Sequence, residues 1–265
     1  MRAIPAGMDP QIVADIDERL QDVARTHDVR IPWAIESGSR AWGFPSPDSD
    51  YDCRFIYVRH PSAYLTLWRV RDVIETPLDH IFDVNGWDLA KAVRLIAKGN
   101  VAAIEWLQSP IVYSGDEGFR DRLLALGDEI MPRDAVGRHY LHVGRRQLHI
   151  GSGSLKRFFY ALRPAAALRW MDDHPEAVIP PMDLPTLLAE SSVTSQIRDA
   201  ASELIAAKAV TRELGAGTPP GVLEDFVAAE LERGAVFDVR MPDQDRQQQV
   251  CRRADEWFLA ELDRG

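Results

Sequence analysis

Cysteine is scarce in this sequence of 265 residues: only Cys53 and Cys251 occur, far apart and without metal-like spacing. That argues against a disulfide framework or a cysteine-based zinc site, and fits a reducing compartment. Long apolar runs are missing too, and the opening MRAIPAGMDPQIV has no continuous hydrophobic stretch. The expectation is a cytoplasmic protein with no membrane partner. Nor is there an excess of basic charge: 31 Lys and Arg against 41 Asp and Glu leave a net charge of −10. A broad nonspecific duplex binder is more often basic, so such a role is disfavoured, though room is left for a local basic patch. Neither an internal repeat nor a low-complexity tail is found.

What is present is an ordinary globular composition, 46% hydrophobic and 27% charged, with ample material for a core. The most informative stretch is GSRAWGFPSPDSDYD, Gly38 to Asp52. IPWAIES before it and YDCRFIYV after it (Tyr51–Val58) read as buried strands joined by a glycine-serine turn and a polar loop. Asp50 and Asp52 stand at i and i+2, so a strand points both carboxylates to one face. Two hard-oxygen ligands there suit Mg²⁺, and two ions about 3.5–4 Å apart would clamp an in-line phosphoryl displacement. Gly38 lets the backbone approach a phosphate, Ser39 adds a hydroxyl and an N–H, and Arg40 joins them as a nucleotide-binding candidate.

Gly38-Ser39, ten residues, then Asp50-Tyr51-Asp52 resembles the pattern of the DNA polymerase β-like nucleotidyltransferases. More narrowly, GSRAWGFPSPDSDYDCRFIYV is similar to the RlaP-type nucleotidyltransferases associated with RNA repair. NGWDLAKAVRLIAKGN, EWLQSPIVY and LKRFFYALRPAAALRWM extend that likeness over most of the chain. The resemblance implies a third carboxylate on a neighbouring strand. Asp83, inside the apolar run IFDV, is preferred as third metal ligand or general base, and Glu75 is held in reserve. Asp88 is explained otherwise, as the N-cap of a helix over Leu89–Lys98.

Along the chain, Asp9-Pro10 opens a helix whose Ile12, Val13, Ile16, Leu20 and Val23 repeat at helical spacing. A short helix is suggested before Leu67, strands at Val70–Glu75 and His80–Val84, an Asn85-Gly86 turn, a helix at Ala102–Leu107 and an extended piece at Ile111–Tyr113. From Phe119 onward only helical periods appear: Phe119–Leu126, Ala135–Ile150, Ser154–Met171, Ser195–Leu214, Gly221–Arg233 and Asp245–Leu262. Breaks fall at Met131-Pro132, Gly151-Ser152-Gly153, Pro180-Pro181 and Gly217-Pro219-Pro220. The fold class read from this is α+β: a polymerase β-like domain with a mixed sheet and helices over residues 1–115, then an all-helical domain over 116–265.

The helical half carries a second constellation. Ala135 to Met171 holds seven Lys and Arg and no acid: Arg138, Arg145, Arg146, Lys156, Arg157, Arg163 and Arg169. Lys156, Tyr160 and Arg163 share one helical face at i, i+4 and i+7, with Phe159, Leu162, Ala166 and Trp170 on another. A Lys and an Arg beside an aromatic can grip a triphosphate while the ring stacks on a base. His139, His142 and His149 are read as structural or phosphate-facing rather than as a zinc site.

The expected activity is a Mg²⁺-dependent nucleotidyl transfer, with two ions and Mn²⁺ as a substitute. Asp50, Asp52 and Asp83 hold metal, Gly38 and Ser39 hold the β- and γ-phosphates, and an acceptor hydroxyl attacks the α-phosphate of a nucleoside triphosphate. The resemblance implies an RNA acceptor. The residues leave open a protein acceptor as in antitoxin-type AMP transfer, a small molecule such as an aminoglycoside, or a nucleotide- or RNA-binding module without chemistry. They are silent on oligomeric state.

Overall fold

The computed structural model describes residues 1–68, 70–77, 79, 81–150, 155–211, 217–238 and 244–264. Helix α1 (Pro10–His27) begins where Asp9 accepts the Gln11 N–H at 2.8 Å and Pro10 presets φ. Its Val13, Ile16, Leu20 and Val23 are buried. Strand β1 (Val29–Glu36) leads into a single helical turn, α2 (Gly38–Ala41), and then β2 (Tyr51–Arg59). After a 3-10 turn at Pro61–Tyr64 come β3 (Val73–Glu75), β4 (Phe82–Asp88), α3 (Leu89–Ala97), α4 (Ala102–Gln108) and β5 (Val112–Gly115). Among the described residues only helices follow: α5 (Glu117–Ile130), α6 (Arg133–Ile150), α7 (Leu155–Asp173), α8 (Leu184–Glu190), α9 (Ser195–Val210), α10 (Gly221–Arg233), a 3-10 turn at Gly234–Asp238, and α11 (Gln244–Leu262).

The five strands form one mixed sheet in the order β3-β4-β2-β1-β5. β2 runs parallel to β4, and the other pairs are antiparallel. This is the expected α+β class. Alternation along β2 sends Cys53, Phe55 and Tyr57 into the core shared with α1, and Ile56 and Val58 into a larger core on the other face. That larger core runs from Trp33 and Ile35 through Phe44 to Phe159 and Leu162 in α7. Asp52 and Arg54 have the same parity as Ile56, so they look toward the α7 side of the sheet.

Some local expectations change. The turn at Gly38-Ser39 is a helical turn, closed by the Trp42 N–H on the Gly38 carbonyl at 2.9 Å. Asn85-Gly86 is no turn but the middle of β4. A Cβ on Gly86 would lie 2.0 Å from the Phe55 ring, so close packing of two strands is what requires glycine. α8 was not expected, and β3 is shorter than the apolar run suggested. His80, the Gly151-Ser152-Gly153 break, the helix start at Ser154 and the 212–214 end of the Ser195–Leu214 helix lie outside the described residues.

Candidate active site

The centre of the site is a contact between two backbone segments. The Ser37 N–H donates to the Asp52 carbonyl at 2.8 Å, joining the end of β1 to the start of β2. Gly38 follows with φ +60°, and a Cβ there would meet the Asp52 Oδ2 at 1.9 Å. Both the left-handed backbone and the contact demand glycine. The Ser39 and Ser49 hydroxyls bond at 2.9 Å, and Ser49 also accepts the Ser46 N–H at 2.9 Å. Arg40 donates to the carbonyls of Ser49 (2.7 Å) and Asp50 (3.2 Å), with its guanidinium 3.9 Å from the centre of the Tyr51 ring. Ser39 and Arg40, expected at nucleotide, therefore brace the loop that delivers Asp50.

Three carboxylates gather at this end of the sheet. Asp52 lies in β2, with Asp83 opposite it in the parallel register with β4. Asp50 sits exposed just before β2 rather than within it. Between Asp52 and Asp83 stands Arg54, whose Nη2 donates to both, at 3.0 and 2.6 Å. Burial raises the Asp52 pKa; Arg54 works against it, Asp83 and Asp50 add to it, and Lys156 opposes it. Below Asp52, the fully buried Glu36 accepts the Asp52 N–H at 3.0 Å and the Tyr113 hydroxyl at 2.6 Å. Burial pushes Glu36 up to about 7 despite those donors.

The other acidic candidates lie elsewhere. Glu75 is exposed on β3 and paired with Arg71. Asp88 is at the far end of β4, where it accepts the Ala90 N–H at 2.8 Å and faces Arg59 at 3.4 Å, the capping role expected of it. Among the described residues no three His, Cys, Asp or Glu side chains converge closely enough to hold a metal between them. Mg²⁺ does not need three. It binds through one or two carboxylates completed by water and substrate phosphates. The exposed Asp50 and the neighbouring Asp52 suit that pattern, while Arg54 engages Asp52 at 3.0 Å and Asp83 more closely at 2.6 Å.

The helical half reaches this site through α7 and α9. Tyr160 is edge-on to Trp42, ring centres 5.3 Å apart, and burial, Asp52 and Asp50 raise its hydroxyl pKa. Lys156 is exposed and close enough to Asp52 to act on its titration. Arg163 parts from them. It is buried, pairs with Glu105 at 2.7 Å, donates to the Met182 carbonyl at 3.2 Å and lies 4.3 Å from the Trp42 ring centre. The face expected to hold Lys156, Tyr160 and Arg163 together thus splits, with Arg163 supporting α2 from beneath.

Much of the basic stretch is likewise taken up inside the protein. Arg138 donates to the Phe237 carbonyl, Arg145 pairs with Asp238, and Arg169 pairs with Glu230. Arg146 and Arg157 are exposed. His142 meets Asp238 at 2.9 Å, and burial lowers the pKa of His139.

Two residues near the carboxylates escaped the sequence reading. Arg54 is two residues beyond Asp52, so strand alternation alone puts it on the same face. Lys208 continues the buried helical series of Ala201 and Leu204, a cation on an apolar stripe.

Residues 12–260 match the family described as "RlaP: RNA repair pathway DNA polymerase beta family". The chain is 38% identical over 222 residues to the Bacillus subtilis (strain 168) protein YcgL, described as uncharacterized, across 82% of this chain and 84% of that one. The crystal structure of a nucleotidyltransferase-like protein from Exiguobacterium sibiricum 255-15 aligns with 92% of this chain and 78% of its own at 9% identity and a TM-score of 0.29.

Proposed function

The chain belongs to the RlaP family, the RNA repair pathway DNA polymerase beta family, and on that premise we propose that it is a Mg²⁺-dependent nucleotidyltransferase acting on an RNA acceptor. The reaction moves a nucleoside monophosphate from a nucleoside triphosphate to a hydroxyl and releases pyrophosphate. The observation that carries this reading is Gly38 pressed on the Asp52 carboxylate, with Asp50 beside it and Asp83 in register across β4. That arrangement sets acidic oxygens against a backbone stretch with no side chain to keep a phosphate away.

Asp50 and Asp52 are the residues to hold the metal, and Asp83 is proposed to join them or to take the acceptor proton. When bound, the divalent ion neutralises charge on the phosphates. The chain itself supplies alignment. Arg40 and Ser49 fix the loop before Asp50, Glu36 holds the Asp52 N–H, and Lys156, near Asp52 on α7, is proposed to meet the phosphates. RNA is favoured as acceptor by the family's description, and exposed Arg146 and Arg157 offer its backbone two cations.

The test is incubation with Mg²⁺ and triphosphates labelled at the α- or the γ-phosphate, offered RNA, protein and aminoglycoside acceptors separately. Label from the α-position should enter RNA, with release of pyrophosphate and no transfer of the γ-label. Asp52→Asn should abolish this. Transfer to protein or aminoglycoside alone would replace the acceptor. Nucleotide binding with no pyrophosphate release from any acceptor would leave a binding module in place of an enzyme.

A further inference from the structure

Lys208 is an unusual residue for its place. It lies on the buried face of α9 and is 4% exposed. Its ammonium rests 4.8 Å from the Phe44 ring centre and 5.2 Å from that of Phe159. One hydrogen bond goes to the Phe44 carbonyl at 2.5 Å, and among the described residues no carboxylate forms an ion pair with it. A buried ammonium without a counter-ion is costly, and an aliphatic side chain between two phenylalanines would be more stable.

The charges that Lys208 does feel locate it. Burial, and to a lesser extent Lys156, lower its pKa to about 8 against the opposing pull of Asp48. Lys156 in turn acts on Asp52. Two lysines from separate helices therefore lie near one another beside the loop from Phe44 to Asp52, in a chain with ten more acids than bases. Of its three donors, Lys208 uses one on the Phe44 carbonyl and none on another described residue. Its recessed position suits a small, multiply charged group better than an extended polymer backbone, which would run over exposed side chains such as Arg146 and Arg157.

We infer that Lys156 and Lys208 form a two-lysine subsite for the polyphosphate of the nucleotide, with Lys208 also tethering the loop that carries Asp50. The inference rests on the proposed nucleotidyl transfer and adds to it a residue from α9. A polyphosphate supplies the directly bonded anion that no carboxylate among the described residues gives Lys208, and its engagement by Lys208 is tied through the Phe44 carbonyl to the segment after Gly38. Phe44 itself donates its N–H to the Ser39 carbonyl at 3.0 Å, so the tether reaches the helical turn.

The test is calorimetric titration of the full chain with Mg²⁺-tripolyphosphate, Mg²⁺-ATP and AMP, with melting temperature recorded for each variant. Lys208→Gln keeps a donor for the Phe44 carbonyl but no charge, and Lys208→Met keeps the ring contacts alone. Each should lose about ten- to a hundredfold in affinity for tripolyphosphate and ATP, less at high salt, with AMP affinity unchanged. A folded Lys208→Gln that binds tripolyphosphate and ATP as the wild type does would overturn the inference and leave nucleotidyl transfer standing. Equal losses for AMP and ATP would overturn it too, since a displaced loop has that effect. If neither Lys208 variant folds, Lys156→Gln, altered only at an exposed side chain, must show the same selective loss or the subsite is refuted. A wild-type protein that binds neither triphosphate nor tripolyphosphate would refute both readings together.

Discussion

Glu36 makes the stability of this protein depend on pH in a direction opposite to that of most carboxylates. Its side chain is fully buried beneath Asp52, accepting the Asp52 N–H and the Tyr113 hydroxyl, with the Arg40 Nε 4.0 Å away. Burial outweighs these contacts and lifts its pKa from 4.5 to about 7. Below pH 4.5 the group is neutral in the folded and the unfolded chain and costs nothing. Between 4.5 and about 7 the unfolded chain releases a proton that the folded chain retains, so stability falls as pH rises; above about 7 the loss is complete. The interval corresponds to about 3 kcal/mol, or about 6–12 °C in melting temperature for a chain of this size. Glu36→Gln removes the titration while keeping an oxygen for the Asp52 N–H. Thermal melts of both proteins from pH 4.5 to pH 8 should nearly coincide at the acid end and diverge toward alkaline pH, with the variant the more stable. Asp52 and Asp88 are also raised by burial and tilt both curves the same way, so the quantity to read is the difference between the proteins. A difference that stays constant across the range would refute the assignment of a buried, proton-retaining Glu36.

Other perturbations have expected outcomes of their own. Arg163→Ala strands the buried Glu105 carboxylate and should cost about 3–5 kcal/mol in chemical denaturation, with Arg163→Met plus Glu105→Gln milder; a change well below 1 kcal/mol would deny the pair its structural role. Gly38→Ala forces a left-handed alanine at a cost of about 1–2 kcal/mol and drives its Cβ into the Asp52 carboxylate, so transfer should be lost in a protein that still melts cooperatively; retained activity would mean that Gly38 does not set Asp52. Asp50→Asn should cut transfer by orders of magnitude with little change in melting temperature, and a near wild-type rate would remove it from the metal site. Asp83→Asn should abolish chemistry while triphosphate binding persists, whereas Asp88→Asn should leave transfer nearly intact because asparagine still caps α3; the reverse pattern would move the catalytic role to Asp88.

The helices were legible because their signals are local. Asp9-Pro10 marks the start of α1 and Asp88 the start of α3, each by a cap that needs no knowledge of the rest of the chain. The strand pairing was less so. Asn85-Gly86 carries turn chemistry, but Gly86 is there because the Phe55 ring of the neighbouring strand fills the space of a side chain. A residue chosen for a contact 31 positions away in sequence looks, in a local window, like one chosen for backbone freedom. Gly38 was readable for the opposite reason: the aspartate it touches lies a short loop away, and the glycine-serine pair with its spaced aspartates forms a single local pattern.

Charge was the least legible property, because sequence proximity says little about pairing. The acid-free stretch from Ala135 to Met171 looked like a surface for an anion, yet Arg145, Arg163 and Arg169 are matched to Asp238, Glu105 and Glu230 from other parts of the chain. A run of one sign therefore signals an external ligand only after internal partners are subtracted. That subtraction sharpens attention on the candidate site. There Arg54 bridges Asp52 and Asp83, and the partner of Lys208 among the described residues is a carbonyl. One cation bridging two acids, and another that among the described residues bonds a carbonyl and forms no ion pair, give the site a carboxylate group and a cationic group. The nucleotide proposed above matches that division of charge: its metal would go to the carboxylates and its phosphates to the lysines.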